Sequence, residues 1–120
     1  MRRLAGKVVL VTGGGSGIGK ASAIRAGAEG ARVYCVDIDE AGTAATAEEI
    51  RSQGGEAAAR QCDISDEAAV QAAVADCVAQ FGGLHALVNM AGILRFDDTG
   101  ELALDKWQRV LDINLTGTML

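Results

Sequence analysis

One junction constrains this chain more than any other feature. The apolar run Val8-Val9-Leu10-Val11-Thr12 passes without a spacer into Gly13-Gly14-Gly15-Ser16-Gly17-Ile18-Gly19. Val-rich and uninterrupted, the run suits a strand buried on both faces, as in a parallel sheet covered by helices. Ordering five glycines among the seven positions 13–19 is entropically expensive, so such a loop implies that another group must come close to its backbone. The helical pattern that starts at Ile18 adds unpaired N–H groups and the positive end of a helix dipole. A pyrophosphate is the ligand that this combination suits. Thr12, Gly13, Ser16, Gly17, Ile18 and Gly19 are the candidate contacts.

Strand and helix patterns alternate through the rest of the chain. The first helix runs from Ile18 to about Glu29, and Arg32–Asp37 is a β-forming segment that ends in an acid. Glu40 to about Ser52 is helical by its Ala and Glu content, and Gly54-Gly55 stops it. A weaker strand covers 56–63, where Ala57-Ala58-Ala59 would suit a helix equally well. Ser65 is placed to cap a third helix, and Val70, Ala73, Val74, Cys77, Val78 and Phe81 share one face of it. Leu84–Asn89 is a fourth strand, and a last helix from Leu102 onward bears Trp107, Val110, Leu111 and Leu115. This alternation predicts an α/β fold with a doubly wound parallel sheet of four strands, and in the usual Rossmann arrangement their order is 3-2-1-4. Ligands bind such sheets at the carboxyl ends of the strands, where the winding reverses. The Gly-rich turn, Asp37, Asp63 and Asn89 all fall at those ends.

A chain of 120 residues suits a single domain, 1–120. With 49% hydrophobic residues and few aromatics, its core must be built from Ala, Val, Leu and Ile. The net charge of −5, with no basic cluster beyond Arg2-Arg3, argues against nucleic acid or an anionic membrane as partner. Cys35, Cys62 and Cys77 lack metal-ligand or redox spacing, so no metal site is expected and the thiols suit a reducing compartment. No apolar run approaches the ~18 residues that span a bilayer. A cytoplasmic location is expected.

Asp37 lies 18 residues beyond Gly19, close to the ~20 at which an acid meets the adenosine ribose of a dinucleotide. A carboxylate there accepts from both ribose hydroxyls and repels a 2′-phosphate. Neighbouring Ile38 is not basic, and neither Gly15 nor Ser16 supplies a cation, so NAD is expected over NADP.

With these residues in place, the chain resembles the short-chain dehydrogenase/reductase family over essentially its whole length. Thr12 to Gly19 resembles the family's Thr-Gly-x-x-x-Gly-x-Gly cofactor motif. Cys62-Asp63-Ile64 is similar to its adenine-contacting turn, which implies that Asp63 bonds the exocyclic amine and Ile64 flanks the ring. Asn89-Met90-Ala91-Gly92 resembles its Asn-Asn-Ala-Gly element, making Asn89, Ala91 and Gly92 cofactor-binding by resemblance. Asp112-Ile113-Asn114-Leu115-Thr116-Gly117 resembles the segment bearing the asparagine of the catalytic tetrad, here Asn114. The resemblance implies hydride transfer between a nicotinamide and a small alcohol or carbonyl substrate, and homo-oligomers are common in the family.

Two departures are minor: Met90 stands for the second Asn, and His85, mid-strand, is expected to be a packing histidine. The third is decisive for chemistry, because the chain contains no Tyr-x-x-x-Lys. Tyr34 is its only tyrosine and belongs to the second strand. In the family that tyrosine moves the proton while the hydride moves, with the lysine lowering its pKa. The expectation is therefore the amino-terminal, cofactor-binding portion of such a domain, truncated before the Tyr-x-x-x-Lys element and inactive by itself. Its fourth strand should form an apolar sheet edge. The alternative is a non-catalytic module that binds NAD or another adenine nucleotide.

Overall fold

The computed structural model describes residues 2–120; Met1 lies outside the described residues. Its elements are β1 (Val8–Thr12), α1 (Gly17–Ala28), β2 (Arg32–Asp37), α2 (Glu40–Ser52), β3 (Glu56–Gln61), α3 (Glu67–Phe81), β4 (Ala86–Asn89) and α4 (Leu104–Leu111). A π-helical segment, Asp112–Gly117, continues α4. All strand pairs are parallel, as the alternation of elements predicts, and the order is the expected β3-β2-β1-β4 of the Rossmann arrangement.

Period-two alternation in β1 and β2 splits the core into two layers. Val8, Leu10, Tyr34 and Val36 face α3 and the π-helical segment, whereas Val9, Val11, Val33 and Cys35 face α1 and α2. Burying each of these Val or Leu side chains contributes roughly 1.5–3 kcal/mol, which makes the two central strands the spine of the molecule. Gly27 lets α1 approach α2 closely, since a Cβ there would stand 2.7 Å from Ile50 Cγ2.

Several local expectations are corrected. Asp66, not Ser65, caps α3, its carboxylate accepting from the Ala69 N–H at 3.2 Å. Ser65 instead donates to Asp63, because that acid sits two residues back with its oxygen in reach. Val74 and Val78 are exposed, at 37% and 43%, since β4 is the last strand on that side and nothing among the described residues covers the outer flank of α3. His85 lies just before β4 and is exposed. Its Nδ1 accepts from the Val8 N–H at 2.9 Å, so the ring extends the β1–β4 ladder instead of packing in the core. The last helix begins at Leu104 rather than Leu102, and its inward residue is Ile113, while Trp107 and Leu115 are exposed. As expected for an edge strand, β4 leaves Leu87 54% exposed.

The three cysteines are free and buried. Burial pushes the Cys35 thiol up to about 12, which makes it unreactive at neutral pH. No helix of the described residues is long and apolar enough to cross a membrane, and no cluster of His, Cys, Asp or Glu among them could hold a metal ion.

Candidate functional site

A cleft of about 360 Å³ opens at the carboxyl ends of the strands, at the point where the winding reverses between β1 and β4. The Gly-rich loop forms its floor. Much of that loop is fixed by its own chain. The Gly14 N–H donates to the Val36 carbonyl at 3.1 Å, the Gly14 carbonyl accepts from Thr46 Oγ1 at 2.8 Å, and the Gly15 N–H donates to Asp37 Oδ2 at 2.9 Å.

Two of the glycines are required by the protein's own packing. Gly13, at φ +65°, has no room for a Cβ, which would lie 2.8 Å from the Ala91 N, and a Cβ on Gly19 would run into the Gly13 carbonyl. Gly17 is different: at φ +55° it borders open space and lines the cleft. The close approach of an outside group is therefore possible at Gly17, while Gly13 and Gly19 serve the turn itself.

The start of α1 contrasts with the other helices. Asp39 and Asp66 cap α2 and α3, each followed by a glutamate in the first turn. At α1, Ser16 makes no side-chain cap bond and the first turn has no acid. The donors and positive dipole end of α1 are thus left unneutralised where they face the cleft.

Asp37 and Asp63 line the same cleft from β2 and from the turn after β3. Asp37 Oδ1 accepts from the Asp39 N–H at 3.1 Å, so both of its oxygens are oriented by backbone. Asp63 Oδ1 accepts from the Ser65 N–H at 3.0 Å and from Ser65 Oγ at 2.6 Å, and Oδ2 accepts from Arg109 at 3.1 Å. The Ser65 hydrogen bonds, with Arg109 behind them, hold the Asp63 carboxyl below the usual carboxylate range.

Of the residues singled out by sequence, Gly13, Ser16, Gly17, Ile18 and Gly19 line the cleft from the loop, Asp37, Ile38, Asp63 and Ile64 from β2 and the β3 exit, and Ala91 and Gly92 from the β4 exit. Three do not. Thr12 is occupied inside the fold, its Oγ1 accepting from the Met90 and Ala91 N–H groups at 3.1 Å each. Those two amides are consequently unavailable to a ligand. Asn89 pairs in register with Thr12 and stands outside the cleft. Asn114 is exposed and outside the lining, and bonds the backbone of Ile93 on both sides, accepting from N–H and donating to the carbonyl at 2.8 Å each. Sequence reasoning missed Ile93 and Ile113 in the lining and Arg109 behind Asp63, while Cys62 and Met90, named only as motif members, line the cleft too. Arg109 has a retrospective signal: it precedes Ile113 and Gly117 by four and eight residues, and the wide π-helical turn keeps such spacings on one face.

Strand order, layer arrangement and the position of the cleft define a Rossmann-like, doubly wound α/β domain. A family model described as short chain dehydrogenase matches residues 7–120, and the chain belongs to that family. It is 44% identical over 118 residues to D-threitol dehydrogenase of Mycolicibacterium smegmatis, covering 98% of this chain and 45% of the relative. It is 49% identical over 120 residues to a 3-alpha-(or 20-beta)-hydroxysteroid dehydrogenase of Mycobacterium tuberculosis, covering 98% and 44%. Among solved structures, a citronellol catabolism dehydrogenase of Pseudomonas aeruginosa superimposes with TM-score 0.92 at 37% identity, over 99% of this chain and 48% of that one. An actinorhodin polyketide ketoreductase solved with NADPH gives TM-score 0.90 at 42% identity, over 94% and 43%. The chain spans about half the length of the relatives it matches.

Proposed function

We propose that this chain is the NAD-binding portion of a short-chain dehydrogenase that acts on a small alcohol or ketone, and that it does not turn over substrate by itself. The observation that carries the cofactor assignment is the pairing, in one cleft, of an uncapped α1 start with the backbone-oriented Asp37. The first suits a pyrophosphate and the second a ribose diol. No Lys or Arg lines the cleft among the described residues, and Ile38, 57% exposed, sits beside Asp37, so nothing there would balance a 2′-phosphate. This favours NAD over NADP.

When bound, a nicotinamide cofactor would accept the hydride from an alcohol or, in its reduced form, give it to a ketone. The chain's own residues would hold it: Gly17 and the α1 amides at the pyrophosphate, Asp37 at the ribose, Asp63 and Ile64 at the adenine, Ala91 and Gly92 on the β4 side. Proton exchange with the substrate oxygen is the missing part. Neither Tyr, Lys nor His lines the cleft among the described residues. Tyr34 is fully buried and donates to Asp76 at 2.5 Å, Lys20 pairs with Glu49 and Lys106 with Asp97. Asn114 alone represents the catalytic set implied by the resemblance, and the rest would belong to the half of the family domain that this chain does not match. That half would also lie against the exposed β4 edge. A non-catalytic nucleotide-binding module is the second reading, favoured by the same absence of a proton donor.

Calorimetric titration of the chain with NAD and NADP tests the proposal. NAD binding that exceeds NADP binding supports it; equal binding, or NADP preference, overturns the assignment of Asp37. Turnover by the chain joined to the carboxyl-terminal half of a family relative, but not by the chain alone, separates the dehydrogenase from the module.

A further inference from the structure

We infer that Arg109 is a positioning residue for base recognition: by holding Asp63 from behind, it makes the adenine end of the cleft selective for a base that presents an exocyclic amine. The inference rests on the cofactor reading above and extends it to a residue outside the cleft lining.

Arg109 reaches across from α4 to the β3–α3 turn with two nitrogens. Nη2 donates to Asp63 Oδ2 at 3.1 Å and Nη1 to Ser65 Oγ at 2.9 Å, while that hydroxyl donates to Asp63 Oδ1 at 2.6 Å. A planar fork bridges two acceptors in one fixed geometry, whereas an ammonium on a flexible stem imposes none. The count of acceptor sites gives the consequence. An ionised carboxylate only accepts, with about two sites on each oxygen. Oδ1 already accepts two hydrogen bonds from Ser65 and Oδ2 one from Arg109, which leaves one site on Oδ2. A base with an exocyclic amine can use it. A base with a carbonyl at that place would set oxygen against oxygen.

Packing reinforces the clamp. Ile113 is 8% exposed in the core, and Gly117 lies so close under Ile64 that a Cβ would stand 2.8 Å from its Cγ1. The same helix holds Ile93 through Asn114, so α4 and its π-helical extension fix both the β3 exit and the β4 exit around the cleft.

The test compares NAD with nicotinamide hypoxanthine dinucleotide, in which a carbonyl replaces the exocyclic amine and N1 carries a proton, in this protein and its Arg109→Ala and Ser65→Ala variants. The wild type should bind NAD about tenfold or more tightly over the analogue. Arg109→Ala should lose most of that ratio, chiefly by weakening NAD, while binding of the hypoxanthine dinucleotide stays within about twofold. Ser65→Ala, which leaves the α3 cap and the core intact, should lower the ratio in the same direction. A ratio unchanged in both variants, or both ligands weakened equally, overturns the inference, because a merely structural role would not distinguish the bases. A wild type that binds neither dinucleotide overturns the cofactor reading itself, and is distinguishable from those results.

Discussion

Asn114 and Ile93 hold each other at both ends: the Ile93 N–H donates to Asn114 Oδ1 and Asn114 Nδ2 donates to the Ile93 carbonyl, each at 2.8 Å. This pair imitates one rung of a β-ladder with a side chain. It ties the cleft wall that follows β4 to the π-helical segment. Both bonds are solvent-accessible, so their net worth is modest, about 1–2 kcal/mol together. Asn114→Ala should lower stability by that amount and speed hydrogen exchange at the Ile93 amide. Asn114→Asp keeps the acceptor but removes the donor, and should leave the Ile93 amide partly protected. Exchange followed by NMR checks both.

Gly13 and Gly17 should separate folding from binding. Gly17→Ala places a methyl in open space at φ +55°, so the cost is the left-handed backbone alone, about 1–2 kcal/mol. The protein should fold and lose NAD affinity, because the methyl projects into the cleft. Gly13→Ala adds a clash with the Ala91 backbone at 2.8 Å and should exceed that loss by about 2 kcal/mol or more. Denaturant unfolding of the two variants, with titration of whichever folds, measures the difference.

Asp37→Ala removes the acceptor for the Gly15 N–H as well as the proposed ribose contact. NAD affinity should fall about tenfold, and the preference over NADP should narrow as the negative charge is lost. Parallel titrations with both dinucleotides decide it. An unchanged ratio would remove Asp37 from the cofactor site.

Glu29 gives the chain an acid-sensitive anchor. It is only 4% exposed, and hydrogen bonds from Arg3, with Arg25 adding a further one, bring its carboxyl down to about 2 from 4.5. A depressed carboxylate pKa contributes stability that is present above the unfolded value and lost as pH falls through the folded one. The contribution should therefore be full at neutral pH and disappear between about 4.5 and 2. Unfolding midpoints of the wild type and Glu29→Gln should differ at pH 7 and converge towards pH 2.

Much of the fold was legible because it rests on local pattern. The bounds of β1, β2 and α2 agree with the sequence reading, each being closed by glycine or by a strand-end acid. Alternation gives the parallel sheet, and the strand order is that of the usual Rossmann arrangement. What was not legible depends on neighbours remote in sequence. Ser65 looks like a cap until Asp63 takes its hydroxyl and Asp66 takes the Ala69 N–H. His85 looks like core until its ring is seen accepting from Val8, across β1.

The sequence by itself determined the α/β class, the family and most of the residues that meet at the cleft, because glycine loops, strand-end acids and helical periodicity act over a few residues. Only the tertiary structure decided that Thr12 and Asn114 brace the cleft from within, that Gly13 answers to Ala91, and that Arg109 stands behind Asp63. Each of these joins segments 21 to 79 positions apart. Such contacts arise when the sheet and helices dock, and no short-range signal records which donor will then face which acceptor.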